Sequence, residues 1–125
     1  MTLPGPVRAV LRSLCFVLAA AVTFHLFYLG AQPFAAGLTP PPWDKLAHVL
    51  VYSALTALLW AGMGGRMPLV VVATVTSIGA LDELHQASLP GRSADASDLL
   101  TDAGAAVGTA AVLLMLRARR RAGSR

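Results

Sequence analysis

Charged residues leave four long gaps along the chain. No Asp, Glu, Lys or Arg occurs at 13–43, 46–65, 67–81 or 103–116, and Leu, Val, Ala and other apolar residues dominate each gap. A helix needs about 20 mostly apolar residues to cross a bilayer's hydrocarbon. On that measure the first gap predicts one span at about 11–29 followed by a loop, and the second a span at about 47–63. The third gap is long enough only if the helix runs on to 84, and the fourth only if it begins near 98. The predicted spans are then 67–84 and 98–116, and both carry acidic residues in their outer turns. Ionisable groups at membrane depth are expensive and tend to be paired or functional.

The connections carry helix-breaking residues. Pro33, Gly37, Pro40, Pro41 and Pro42 interrupt the stretch after the first span. Gly62, Gly64, Gly65 and Pro68 predict a tight hairpin between spans two and three, and Pro90-Gly91 turns the chain before span four. The pattern predicts an all-α, integral membrane four-helix bundle in a single domain, with a frayed basic tail at 117–125.

Composition points the same way. Of 125 residues, 56% are hydrophobic and 13% charged, against about 25% charged in soluble domains. A soluble chain this small could not cover so much apolar surface. One cysteine excludes a disulfide scaffold.

The charges are sorted by side. In a four-span layout Arg8, Arg12, Arg66, Arg117, Arg119, Arg120, Arg121 and Arg125 share one side. Lys45 and Arg92 fall on the other, with all six acids: Asp44, Asp82, Glu83, Asp95, Asp98 and Asp102. The positive-inside rule then places both termini in the cytoplasm. It also accounts for the isoelectric point of about 10.2 without a nucleic-acid partner, and the arginine run at 117–121 reads as a flank attracted to the bilayer surface. Arg8 and Arg12 before an apolar stretch resemble a signal peptide, with Ala31 as a weak cleavage position. The stretch is longer than a signal core, so a retained span is expected.

Two polar clusters lie on the outward side. In a helix Asp44, His48, Tyr52 and Thr56 repeat every four residues, flanked by Lys45, and form a polar stripe that should face the bundle interior. An interfacial cap explains Trp43, Asp44 and Lys45 but not His48 and Tyr52. In the second cluster Asp82 and Gln86 share a helical face, and Glu83 and His85 flank it. Asp95, Asp98 and Asp102, spaced by three and four, place three carboxylates on one face of the fourth helix. A solvated loop with helix capping accounts for Ser93 and Asp95 and reaches at most to Asp98, but not to Asp102, about a turn deeper. Carboxylates this close call for a cation: Arg92, Lys45 or a bound metal. His48, Glu83, His85 and Asp98 are ligand types, but no metal motif is present and no metal or cofactor is expected. Cys15 reads as packing. His25 reads as a histidine bonded to a backbone carbonyl. Gly104 and Gly108 form a small-xxx-small pair suited to close approach of a neighbouring helix or a second copy.

Taken together, Asp44-Lys45, His48 and Tyr52, then Asp82-Glu83, Gln86, Pro90-Gly91-Arg92 and Asp98, resemble the VanZ-like family of small membrane proteins. The resemblance runs from about Trp43 to Gly108. It departs at Asp102, where the family often has Asn, and in the glycine spacing after it. The resemblance implies a multi-pass protein of the bacterial cytoplasmic membrane, in a family whose founding members are associated with resistance to the glycopeptide teicoplanin. Some members are labelled phosphotransbutyrylases, but nothing here resembles a phosphate-cradling glycine loop.

Three functions fit the residues. The first is an outward-facing site that binds or processes a lipid-linked or cell-wall anionic group. Glu83, His85 and His48 would be the candidate catalytic residues. Asp44, Lys45, Tyr52, Asp82, Gln86, Arg92, Asp98 and Asp102 would be the binding residues, with Lys45 and Arg92 holding the anion. Arg92 is expected to pair with Glu83 or Asp98 until a ligand arrives. The second is a non-catalytic scaffold or accessory subunit whose charged clusters are structural. The third is proton or ion movement along Asp102, Tyr52 and His48.

Overall fold

A computed structural model describes residues 4–35, 37 and 39–123. Its helices are α1 (Gly5–Gly30), α2 (Trp43–Gly62), α3 (Pro68–Ala87) and α4 (Ala96–Ala122), with a short 3-10 turn at Pro33–Ala35. All four are long and apolar enough to cross a membrane. Proline stands in the first turn of α1 and α3, where its missing N–H costs nothing. Asp95 caps α4, its Oδ1 accepting from the Ser97 N–H at 2.7 Å. α4 continues helically through Arg117 to Arg121, where fraying was expected. Ser124 and Arg125, the end of the expected tail, lie outside the described residues.

The bundle buries charged and polar groups within an apolar core and turns large apolar side chains outward. Leu69 is 82% exposed and Leu100 73%, while Asp102 and Tyr52 are fully buried. Only a hydrocarbon surround makes that distribution favourable, because each exposed leucine would otherwise face water. The chain forms a multi-pass membrane protein.

The tight hairpin joins α2 and α3 as antiparallel helices in contact, with the Tyr52 ring of α2 against Gly79 of α3. α4 packs extensively on both α2 and α3, and α1 packs on α2 and less on α3. α2 and α3 touch more narrowly, across the bundle. Gly64 and Gly65 take φ of +66° and +67°, the left-handed region that glycine enters without strain. This reverses the chain in few residues. Arg117 of α4 donates to the Gly65 carbonyl, and the Arg12 guanidinium of α1 lies against Gly64. The start of α1, the hairpin and the end of α4 therefore share one basic end. The acidic clusters occupy the other.

Candidate functional site

At the acidic end, α2, α3, α4 and the α3–α4 loop bring the singled-out side chains together. Lys45, in the first turn of α2, reaches α4. Its Nζ donates to Ser97 Oγ at 2.7 Å and to Asp98 Oδ1, with Asp95 Oδ2 at 3.5 Å. One turn deeper, His48 Nδ1 donates to Asp102 Oδ1 at 2.8 Å, and its Nε2 lies 3.9 Å from Asp98 Oδ2. The imidazole thus sits between two carboxylates of α4. A further turn down, the Tyr52 ring stacks on His48 with centroids 5.9 Å apart and planes 6° from parallel. Thr56 ends the stripe without joining it, since its hydroxyl donates to the Tyr52 carbonyl at 2.7 Å.

From α3, Asp82 and Glu83 are both buried. Asp82 Oδ2 accepts from Gln86 Nε2 at 2.9 Å, one turn on. Glu83 Oε2 accepts from the Asp95 N–H at 2.6 Å, so the carboxylate that closes the α3 end also fixes the residue capping α4. Asp95 itself lies outside the helices. The Ser97 backbone N–H, then the Ser97 hydroxyl and Lys45, hold its carboxyl below the usual range.

Several groups remain unpaired. Asp44 Oδ1, the Tyr52 hydroxyl, Asp82 Oδ1, Glu83 Oε1, His85 Nδ1 and Asp102 Oδ2 are buried with no hydrogen-bond partner. Burying a polar group without a partner is costly, and most are paired in folded proteins. All six belong to residues of the acidic end.

The α2 and α3 clusters meet at one level, as antiparallel helices joined by a tight hairpin require, with the Tyr52 ring against Gly79, while the hydrogen bonds of Lys45 and His48 go to α4. The directions of the site differ from the sequence expectation at Arg92 and His85. Arg92 pairs with neither Glu83 nor Asp98. Glu83 is taken by the Asp95 N–H and Asp98 by Lys45, and Arg92 instead donates to the Gly30 carbonyl at the end of α1. His85 turns toward α1, its ring 5.3 Å from that of Phe27, away from His48 and Asp102.

Among the described residues, no three His, Cys, Asp or Glu side chains converge to hold a metal ion. His25 Nδ1 donates to the Ala21 carbonyl of its own helix at 2.8 Å. Gly104 and Gly108 face open space, with no atom within 4 Å of a Cβ built there. The packed face of α4 carries Asp102, Ala106 and Ala110, which are buried at four-residue spacing.

Sequence reading missed Gly79. A Cβ there would lie 2.8 Å from Asp102 Oδ2 and 3.3 Å from the Tyr52 ring. This glycine lets α2, α3 and α4 meet at one level. The available signal was a lone glycine inside an apolar helix, three residues before Asp82 and on its face.

Chemically, His48 is an imidazole held between two carboxylates, one nitrogen bonded to Asp102 and the other turned toward Asp98. Glu83 has one oxygen anchored by the Asp95 N–H and the other buried without a partner.

Comparison with curated proteins and with solved structures gives no match. The family model described as VanZ/LLP1 matches residues 8–117, which include all four helices' inner turns and every residue of the acidic cluster. The chain belongs to the VanZ/LLP1 family.

Proposed function

We propose that this membrane protein uses its acidic end to bind a lipid-linked or cell-wall group of the bacterial envelope, with that end facing outward and both termini in the cytoplasm. The supporting observation is the set of six buried, unpartnered polar atoms gathered there. Four are carboxylate oxygens, which accept hydrogen bonds and so favour a ligand rich in hydroxyls or amines. The ligand's anionic part belongs at the rim. There Arg92 spends one N–H on Gly30 and keeps further donors of its fork, and Lys45 completes the charge. A sugar or amino group attached to a lipid phosphate meets both requirements. Glu83 Oε1 is the atom best placed to take a proton if the bound group is also processed.

The test is Glu83→Gln, which keeps size and one acceptor but removes the base and the charge. The readouts are the cellular pool of lipid-linked wall precursors and susceptibility to teicoplanin. An unchanged pool and unchanged susceptibility, at normal protein level, would count against the reading. Orientation is tested separately, with Cys15→Ser as background and single cysteines at Ser93 and Ser124. An impermeant thiol reagent on intact cells should label the first only.

A second reading has its own support. Lys45 on α2 bonds α4, His48 on α2 bonds α4, and Arg92 in the loop bonds α1. Those ties would serve a scaffold or accessory subunit whose charges only fix the bundle, with the open Gly104/Gly108 face toward a partner.

A further inference from the structure

At the opposite end from the acidic cluster, a cleft of about 310 Å³ opens between α2 and α4. Trp60, the hairpin glycines, Leu113 and Leu116 line it together with Arg117 and Arg120, which lie toward the chain's basic end. Leu113 also borders a second cavity of about 350 Å³ that continues along the same α2–α4 seam past Val112 to Gly108. The two cavities share Leu113 and follow one α2–α4 groove, basic at the Arg117 end and apolar along the rest. Gly108 keeps the far part open, since it presents no side chain and nothing lies within 4 Å of where one would begin.

The charge at the Arg117 end is one-sided. Arg66 and Arg121 flank a further cavity that shares Gly65 and Arg117 with the first. All six acidic residues of the chain belong to the other end. Arg117 and Arg120 have no carboxylate partner among the described residues, and guanidinium groups beside an apolar wall suit a phosphate oxygen pair. Arg117 spends one N–H on the Gly65 carbonyl and keeps the rest of its fork. The groove's length fits too. Gly108 and Arg117 are nine residues apart on one helix, ~14 Å at ~1.5 Å per residue. One leaflet of a hydrocarbon core ~30 Å thick is ~15 Å deep.

We propose that this groove holds one anionic diacylphospholipid, its phosphodiester at Arg117 and Arg120 and one acyl chain along Leu113 to Gly108. The proposal does not rest on the function proposed for the acidic end. It also assigns the open glycine face of α4 to lipid where sequence alone suggested a second helix.

The experiment is native mass spectrometry of the full chain, delipidated in mild detergent and given equal phosphatidylglycerol and phosphatidylcholine. The expected result is one phosphatidylglycerol retained per chain in preference to phosphatidylcholine. Arg120→Gln should weaken that retention about five-fold, the effect of one arginine at an anionic surface. Gly108→Leu should weaken it as well, by filling the groove, and it adds its side chain into open space, so the fold survives. Helix content by circular dichroism checks this, and Gly108→Leu carries the test should Arg120→Gln fail to fold. Equal retention of the two lipids would overturn the proposal. So would wild-type retention by Gly108→Leu, which would mean that the arginines attract only a bilayer surface. Displacement of the lipid by millimolar inorganic phosphate would also overturn it, because the basic end alone would then account for binding.

Discussion

His48 on α2 donates through Nδ1 to Asp102 Oδ1 on α4 at 2.8 Å, with Asp102 fully buried. The bond lies inside the bundle, between helices far apart in sequence. It fixes which nitrogen carries the proton and leaves Nε2 toward Asp98. Asp102→Ala should strand a buried imidazole donor and cost about 1–3 kcal/mol. Asp102→Asn keeps an acceptor and should cost under about 1 kcal/mol, in line with hydrogen bonds between membrane helices. Thermal unfolding in detergent separates the two. Equal losses would mean that the carboxylate charge, not the hydrogen bond, matters.

Asp95 links pH to the capping of α4. Its carboxyl is held below the usual range, first by the Ser97 N–H. A depressed carboxylate contributes stability above its unfolded pKa and loses it as pH falls through the lower folded value. Asn caps as well as Asp and does not titrate. Wild type and Asp95→Asn should therefore unfold alike from neutral pH down to about 5 and diverge below about 4, with wild type falling further. Parallel curves throughout would show that the cap is not coupled to ionisation.

Two kinds of glycine should respond oppositely to alanine. At Gly79 the new methyl meets Asp102 Oδ2 at 2.8 Å and the Tyr52 ring at 3.3 Å. Overpacking of this sort costs about 1–3 kcal/mol, and it should also disturb the His48–Asp102 bond. At Gly104 nothing lies within 4 Å, so alanine should stabilise by about 0.5–1 kcal/mol through helix propensity. Unfolding temperatures of the two variants give the comparison, and a destabilised Gly104→Ala would point to a neighbour packed on that face.

The contrast between these glycines shows what was legible in the sequence. The four helices could be read because a charge-free run of sufficient length has one stable form in hydrocarbon. Depth could be read too: Lys45, His48, Asp98 and Asp102 lie at the end where their distance along each span puts them. Side-chain partners could not. Loop length says that α2 and α3 are antiparallel, not that the polar groups of α2 bond to α4. Hence Lys45 and His48 bond α4, Arg92 finds both expected partners occupied, and the inward face of α4 runs through Ala106 and Ala110 instead of Gly104 and Gly108. Alanines look neutral in a sequence, and only packing shows them to be the close-contact residues.

Lys45 and Asp98 decide between a binding site and a structural lattice. Their ion pair joins α2 to α4 at the acidic end, with side chains 34% and 15% exposed. A pair that open to its surroundings contributes little, about 0.2–1 kcal/mol in coupling. Removing both charges together should leave stability within about 1 kcal/mol of wild type, because no partner is stranded. If the cluster only braces the helices, the double variant Lys45→Ala, Asp98→Ala should then keep its cellular phenotype. If Lys45 holds the anionic part of a ligand, the double variant should be stable yet as inactive as Lys45→Ala alone, and Asp98→Ala alone should keep partial activity by freeing the ammonium. Measuring all three variants for unfolding temperature, precursor pool and glycopeptide susceptibility separates the outcomes. A fully active double variant would remove Lys45 from the site and leave Arg92 as the cation at the rim. An inactive but folded one would place the ligand's anion at Lys45, because no loss of structure remains to explain the loss of function.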